Sequence, residues 1–371
     1  MVEGGRLQIC LEKSAHRFKS GSRVQFLKIE MKMDMVEINQ IYNSGQNFRT
    51  ALALAALTGK AVHFTEFRSK FRKPGLMRQH LACATAVAEI TGGTLEGAEL
   101  KSQDLIFTPG RIRSGNYHFS IGCAGSVIPI AQMLIPVLLQ ADGPSRVSIE
   151  GATHVDGAPP FEFLERVYLP ALRKMGAEVT ATLGKTGFFP VGGGRITLNI
   201  NPIREWKPFC ALKRGRLLNS KLIASGCEIN PLILKDEIRI CQNELQNRPV
   251  FQTECRKVKS AGPGNILMAE LDFERISELF SACGDVGISR HIVAKRVAFQ
   301  VQKYLKSRVP VGRFLADQLL LPMAIGAGGE FRTTDPTGNT ISNMKVIQMF
   351  LREHVELENS DEGSYIIKIE K

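Results

Sequence analysis

Apolar and polar positions fall into a rotation that recurs along most of this 371-residue chain. Residues 36–41 read as a strand, Asn43-Ser44-Gly45 as a turn, and 48–57 as a helix stopped by Gly59. Residues 61–67 read as a second strand, Pro74 opens a helix to about Ile90, and Thr91-Gly92-Gly93 stops it before a strand pair. The rotation then returns. Residues 124–139 form an apolar helix, Ala141-Asp142-Gly143-Pro144 a turn and 146–150 a strand, and Pro159-Pro160 opens a helix to Lys174, stopped by Gly176. A third copy is split, with helices at 291–305 and 314–325, a short helix at 346–351 and a last strand at 365–369. A period of roughly 85 residues predicts three copies of one βαβαββ unit, each laying a helix pair on a sheet. The fold class is therefore α/β (α+β), one large domain of three repeats.

The rotation breaks between about Arg204 and Asp285, where Trp206, Cys210 and the basic run Lys213, Arg214, Arg216 lead into shorter pieces. This predicts a small α/β domain inserted in the third repeat, at 205–285, with 35–204 and 286–371 as a discontinuous core. Residues 1–34 are basic and irregular, which predicts a flexible arm or a poorly packed extension.

Composition changes this picture in two ways. Forty-eight Lys+Arg against 36 Asp+Glu give a net charge of +12, a field that favours phosphate-bearing partners, though a basic protein need not bind nucleic acid. The eight cysteines, Cys10 to Cys283, are scattered and include no C-x-x-C pair, so buried free thiols in a reducing compartment are expected rather than a zinc site or a disulfide frame. The longest apolar run, 128–139, is broken by Pro129 and Pro136, and no apolar core of a signal peptide follows Met1. A soluble, cytoplasmic protein with no membrane partner is expected.

Three stretches carry candidate chemistry. Arg68, Arg72-Lys73-Pro74-Gly75-Leu76 and Arg78-Gln79-His80 put cations at an expected helix start, where free backbone N–H groups and the dipole favour an anion; a solvated basic helix start would look the same. Gly122-Cys123-Ala124-Gly125-Ser126 reads as a small-residue helix start that either cradles phosphate or allows close helix packing. In 312–343 an apolar helix ends in Gly326, Gly328 and Gly329, a strand follows, and Asp335-Pro336-Thr337-Gly338-Asn339 reads as an exposed polar loop. His118 and His154 fall in loop-like segments that nothing ties to these stretches.

These stretches resemble the RNA 3′-terminal phosphate cyclases over roughly residues 35–371. Leu315-Ala316-Asp317-Gln318-Leu319, Gly328-Gly329-Glu330-Phe331 and Asn343 fit the family's closing signature. Arg68, Pro74, Gly75, Leu76, Arg78, Gln79 and His80 fit its R-A-G-R-x-x-P-G-L-x-R-Q-H box, with Phe71 at the second arginine and Arg72 beside it as a substitute. Gly122 to Ser126 is similar to its I-G-S-A-G-S segment, Gln132 falls at a glutamine near the nucleotide, and Arg49 matches a family arginine. The resemblance implies ATP and Mg²⁺ as cofactors and an RNA 3′ end as partner. It implies that Pro159 and the ring of Phe314, usually tyrosine, sandwich adenine, with Asp317 near it. It also implies an imidazole that attacks the α-phosphate of ATP and releases pyrophosphate. The AMP it holds then passes to the RNA 3′-phosphate, and the vicinal 2′-hydroxyl closes a 2′,3′-cyclic phosphate.

Two positions depart from that pattern. Asn339 stands where the family has its nucleophilic histidine, and a carboxamide nitrogen, its lone pair delocalised, hydrogen-bonds but does not form a phosphoramidate. Tyr42 stands at a glutamate that is a candidate metal ligand, and a phenol does not replace a hard carboxylate for Mg²⁺. The sequence thus carries two readings: an ATP-dependent cyclase of RNA ends, or a non-catalytic RNA-binding member similar to the nucleolar cyclase-like proteins of ribosome assembly. A third, the enolpyruvyl transferases, shares only the repeat plan.

Overall fold

The computed structural model describes residues 35–39, 44–122, 124–246, 248–360 and 363–371. The expected arm at 1–34, Tyr42 and Cys123 lie outside the described residues. The first unit runs β1 (Met35–Ile38), α1 (Gly45–Thr58), β2 (Ala61–Phe64), α2 (Arg78–Thr91), β3 (Thr94–Glu96) and β4 (Leu105–Thr108). β1 and β2 pair in parallel, and the other pairings in the order β1-β2-β4-β3 are antiparallel. The second unit runs β5 (Asn116–Ser120), α3 (Ile128–Leu138), β6 (Ser145–Gly151), α4 (Phe161–Phe163), a π-helical turn (Leu164–Tyr168), α5 (Leu169–Lys174), β7 (Glu178–Lys185) and β8 (Gly194–Asn201). Its order, β5-β6-β8-β7, and its strand senses repeat those of the first sheet.

β9 (Phe209–Ala211) begins the third unit, which is then interrupted by β10 (Leu217–Cys227), α6 (Pro231–Glu244), β11 (Gln252–Lys257), β12 (Gly264–Phe273), β13 (Ser277–Cys283) and α7 (Arg290–Ser307). The unit resumes with α8 (Arg313–Ile325), β14 (Gly329–Thr333), α9 (Gly338–Phe350), β15 (His354–Ser360) and β16 (Ser364–Glu370), and its sheet has the same plan, β9-β14-β16-β15. The fourth sheet, β11-β10-β12-β13, is amphipathic in a particular way. Leu222, Ala224, Leu267, Ala269, Phe280 and Ala282 face a small core with α6 and α7. Their alternates Ile223, Ile266, Met268, Leu279 and Cys283 join the large core of the three units, as the period of two along a strand requires.

Four expectations change. The helix expected to open at Pro74 starts at Arg78, because Gly75 (φ +76°) packs against the Lys101 carbonyl, where a Cβ would lie 2.1 Å from the oxygen. The helix expected from 124 starts at Ile128, so the small residues 122–126 precede it rather than open it. The helix at 291–305, expected in the third repeat, is α7, whose Val293, Val297 and Val301 pack in the small core with α6. The short helix expected at 346–351 is the end of α9, which begins at Gly338, so Asn339 stands in a first helical turn rather than in a loop. Among the described residues no helix is long and apolar enough to cross a membrane.

Candidate active site

Three helix starts converge on one cavity of ≈ 690 Å³. Ser44, Gly45 and Gln46 bring in the start of α1, Arg313 and Phe314 that of α8, and Thr337 and Asn339 that of α9. Each start forms for a local reason. The Ser44 hydroxyl accepts from the Asn47 N–H (3.1 Å) and caps α1. Thr337 and Thr340 cap α9 reciprocally, the Thr340 N–H donating to Thr337 Oγ1 at 2.9 Å and the Thr337 N–H to Thr340 Oγ1 at 3.0 Å. Free N–H groups and positive dipole ends gathered in this way favour an anion.

Asp317 ties these starts together. The Thr337 hydroxyl donates to its carboxylate at 2.9 and 3.1 Å, and the Thr340 hydroxyl donates to the same Oδ1. The Asp317 carbonyl accepts from Gln46 Nε2 (2.8 Å) and Asn343 Nδ2 (3.3 Å), which locks α8 to the starts of α1 and α9. Burial raises the Asp317 pKa above its ordinary value, against the two threonine hydroxyls and nearby Arg313, which act the other way.

Arg49 reaches the cavity from α1 and has no carboxylate partner among the described residues. Burial pulls its pKa below the ordinary value, with the Cys83 thiol acting in the opposite sense. Arg313 is the second such cation in the wall, its guanidinium 5.5 Å from the Phe314 ring. Arg296 is neutralised by Asp156 at 3.4 Å. Gln132 Nε2 donates to Gln318 Oε1 across the cavity wall, joining α3 to α8. Pro159 and Phe314 both line the cavity, and Phe314 is 45% exposed, which leaves a ring face open to a ligand.

Of the residues singled out from the sequence, Arg49, Gln79, Gln132, Pro159, Phe314, Asp317 and Asn339 share this cavity. Arg68 and His80 do not line it, although His80 Nε2 stands behind Gly45, 3.5 Å from where a Cβ there would lie. His80 is buried, its Nδ1 accepts the Met77 N–H at 3.0 Å, and its ring packs edge-on to Phe48 and Phe67. Burial first, then the charges of Arg68 and Arg49, lower its pKa to about 3, so the ring is neutral. Arg68 has φ +54° and stacks on the Phe71 ring at 4.5 Å, which gives Phe71 a structural use at that position. The Nε of Arg68, the Nε2 of His80 and the Nδ2 of Asn47 are buried without a partner among the described residues. Arg72 is exposed, and Gly122, Ala124, Gly125 and Ser126 do not line the cavity.

No histidine lines the cavity among the described residues. His154 is buried and bonded to Glu162 at 2.9 Å; His118, expected in a loop, lies on β5 with Glu150 at 4.0 Å. Sequence reasoning missed Gln318, Arg296, Asp156 and Ser281. Ser281 of β13 and Arg296 of α7 stand against the cavity because the inserted layer folds over it, an arrangement with no local signal, while Asp156 comes from the loop after β6 that also brings Pro159.

Residues 40–357 match the model of the RNA 3′-terminal phosphate cyclase family. The RNA 3′-terminal phosphate cyclase of Pseudomonas fluorescens is 41% identical over 326 residues, covering 88% of this chain and 95% of its own length. That of Ectopseudomonas mendocina is 38% identical over 340 residues, 92% of this chain and 99% of its own. That of Koribacter versatilis is 38% identical over 331 residues, 89% of this chain and 93% of its own. The enolpyruvyl transferase NikO from Streptomyces tendae overlays with a TM-score of 0.37 at 11% identity, covering 90% of this chain and 47% of its own, too weak a likeness to carry an argument. With the match spanning most of the chain and its relatives matched nearly end to end, the chain belongs to the RNA 3′-terminal phosphate cyclase family.

Proposed function

We propose that the cavity binds ATP and the 3′-phosphate end of an RNA, and that the protein is of the type that converts such an end to a 2′,3′-cyclic phosphate by AMP transfer. The observation that carries this reading is the convergence of three helix starts with Arg49 and Arg313, a wall built for polyanions. The buried, partnerless donor His80 Nε2 stands behind Gly45 of that wall and suits a phosphate or its anchoring shell. Pro159 and Phe314 supply the apolar faces an adenine ring requires. Arg49 and Gln79 would hold phosphate oxygens, and Asp317 would keep the starts of α8 and α9 in register beneath them.

The fit for Mg²⁺ is poorer. The carboxylates of the wall are Asp156 and Asp317; the first pairs with Arg296 and the second accepts two threonine hydroxyls. A metal entering here would come with the phosphates of the nucleotide rather than on carboxylates of this wall. The scattered free thiols and the basic charge fit a cytoplasmic protein acting on RNA.

Asn339 favours a second reading, a member that holds the nucleotide and the RNA end without taking AMP onto itself. A transferable AMP needs a nucleophile with a free lone pair, and the carboxamide at Asn339 has none to give. The test incubates the protein with α-labelled ATP and Mg²⁺ beside its Asn339→His variant and looks for acid-labile, alkali-stable label on the chain. Label on Asn339→His alone is the expected result and shows an ATP pocket that lacks its nucleophile. Label on the unmodified chain overturns the non-catalytic reading; label on neither overturns the reading that Asn339 alone blocks AMP transfer, places a second loss at the N-terminal motif and favours an RNA-binding role.

A further inference from the structure

A second cavity, ≈ 600 Å³, lies between the β7–β8 turn and the layer of α6 and α7, away from the site above. Its unusual feature is Glu237. The side chain lines the cavity, the residue is 1% exposed, and Oε1 accepts Asn265 Nδ2 at 2.7 Å. Oε2 is buried with no partner among the described residues. A carboxyl oxygen left so is costly, and a ligand N–H is the group that would satisfy it. Burial raises the Glu237 pKa to about 7, the bond from Asn265 acting against it, as expected of a carboxyl still short of donors.

The rest of the lining narrows the ligand. Ile229, Ile233, Pro190, Pro263 and Ile288 supply apolar walls, and Phe189 at the mouth is 53% exposed. A flat, largely apolar body with N–H donors on one edge fits between such walls and Glu237. At the rim stands the start of α7, an 18-residue helix capped by the Ser289 hydroxyl, with exposed Arg290 and His291 in its first turn. That end favours an anion, although Asp236 holds Arg290 at 3.0 Å and Asp285 sits on the same rim. An N–H edge for a carboxyl, a flat body and a phosphate together describe a nucleotide.

We propose that this cavity is a guanine-nucleotide subsite in which Glu237 accepts the N1–H and N2–H edge of the base. Guanine offers two adjacent donors to a carboxylate, whereas adenine offers a donor beside an acceptor and leaves one oxygen unmatched. The subsite is separate from the cyclase cavity and does not rest on the reading of it.

Calorimetric titration of the full chain with guanosine, GMP and AMP, in saturating ATP so that the first cavity is filled, tests this. Guanosine and GMP should bind, AMP at least about tenfold more weakly, and Glu237→Gln should weaken both guanine ligands by about tenfold or more while leaving AMP unchanged. Arg290→Ala should weaken GMP but not guanosine. If Glu237→Gln does not fold, Ile233→Trp, which fills the cavity from its wall, should abolish guanosine binding. A guanine-containing tetraribonucleotide run beside GMP separates the sources. Preference for the strand marks an RNA-base subsite and preference for GMP a free-nucleotide site, and either supports the proposal. Equal affinity for AMP and GMP, insensitivity to Glu237→Gln, or no guanine binding would overturn it.

Discussion

At the scale of single residues, Thr337 decides where Asn339 stands. Its hydroxyl accepts from the Thr340 N–H and donates to Asp317, so it both starts α9 and fixes that start to α8. Thr337→Val keeps the shape and β-branching but removes both bonds, leaving the buried Asp317 carboxylate with one fewer donor. Loss of a cap together with a donor to a buried charge costs about 2 kcal/mol. The expected outcome is a lower chemical-denaturation midpoint with an unchanged slope, and faster amide exchange in the first turn of α9. An unchanged midpoint would show that Thr340 alone holds the start. The same residue explains a misreading. Asp-Pro-Thr-Gly-Asn has turn chemistry, but the carboxylate that stabilises the Thr337–Thr340 cap lies twenty residues upstream in Asp317, where local pattern does not reach.

Elements were legible where their ends are marked by the chain itself. Gly59 and Gly92 take left-handed conformations that end α1 and α2, and both ends were readable as glycine stops. Starts were less legible. Pro74 suits a first turn, yet the close approach of Gly75 to the Lys101 carbonyl postpones α2 to Arg78. The π-helical turn at 164–168 left no readable sign, and of the β15–β16 hairpin only β16 was legible, as the strand at 365–369. Seven of the residues singled out from the sequence reach one cavity because they sit at helix starts or one turn inside them, while His80 looks inward to Phe48 and Phe67. The third sheet depends on one strand pairing that the interruption threatens, β9 with β14, in register Gly329 to Phe209. Gly329 has φ +122°, and a Cβ there would stand 2.1 Å from the Phe209 carbonyl oxygen. Gly329→Ala therefore forces β9 off β14 and should cost about 3 kcal/mol or more, read as a fall in melting temperature of many degrees. A shift within a degree or two would mean that β9 is dispensable to the third sheet.

At the scale of the whole molecule, the interrupting layer is fastened to the repeats by buried carboxyls as well as by apolar area. Glu278 of β13 is buried and accepts the Gly312 N–H at 2.5 Å, immediately before Arg313 and Phe314 enter the first cavity. Glu270 of β12 takes Arg166 of the π-helical turn at 2.6 Å. Burial pushes the Glu278 carboxyl up to about 8, the Gly312 N–H opposing it, from an ordinary value of 4.5. The folded chain therefore keeps a proton that the unfolded chain loses, and stability falls as pH rises from 4.5 to 8. Glu237, raised to about 7, adds to this fall over the lower part of that window. His80 works in the other direction: held near 3 against 6.5, it makes stability fall as pH drops below 6.5. The two trends oppose each other between 4.5 and 6.5, and the Glu278 contribution is left unopposed by His80 above 6.5. Unfolding free energies between pH 6.5 and 8 should fall by up to about 1.4 kcal/mol per pH unit for the proton that Glu278 keeps, and Glu278→Gln, which cannot ionise, should reduce that slope to what Glu237 leaves. A slope unchanged by Glu278→Gln would mean that the carboxyl is already ionised at neutral pH. The Gly312 N–H would then be holding a charge at the joint between the inserted layer and α8, and the joint would be insensitive to pH throughout this range.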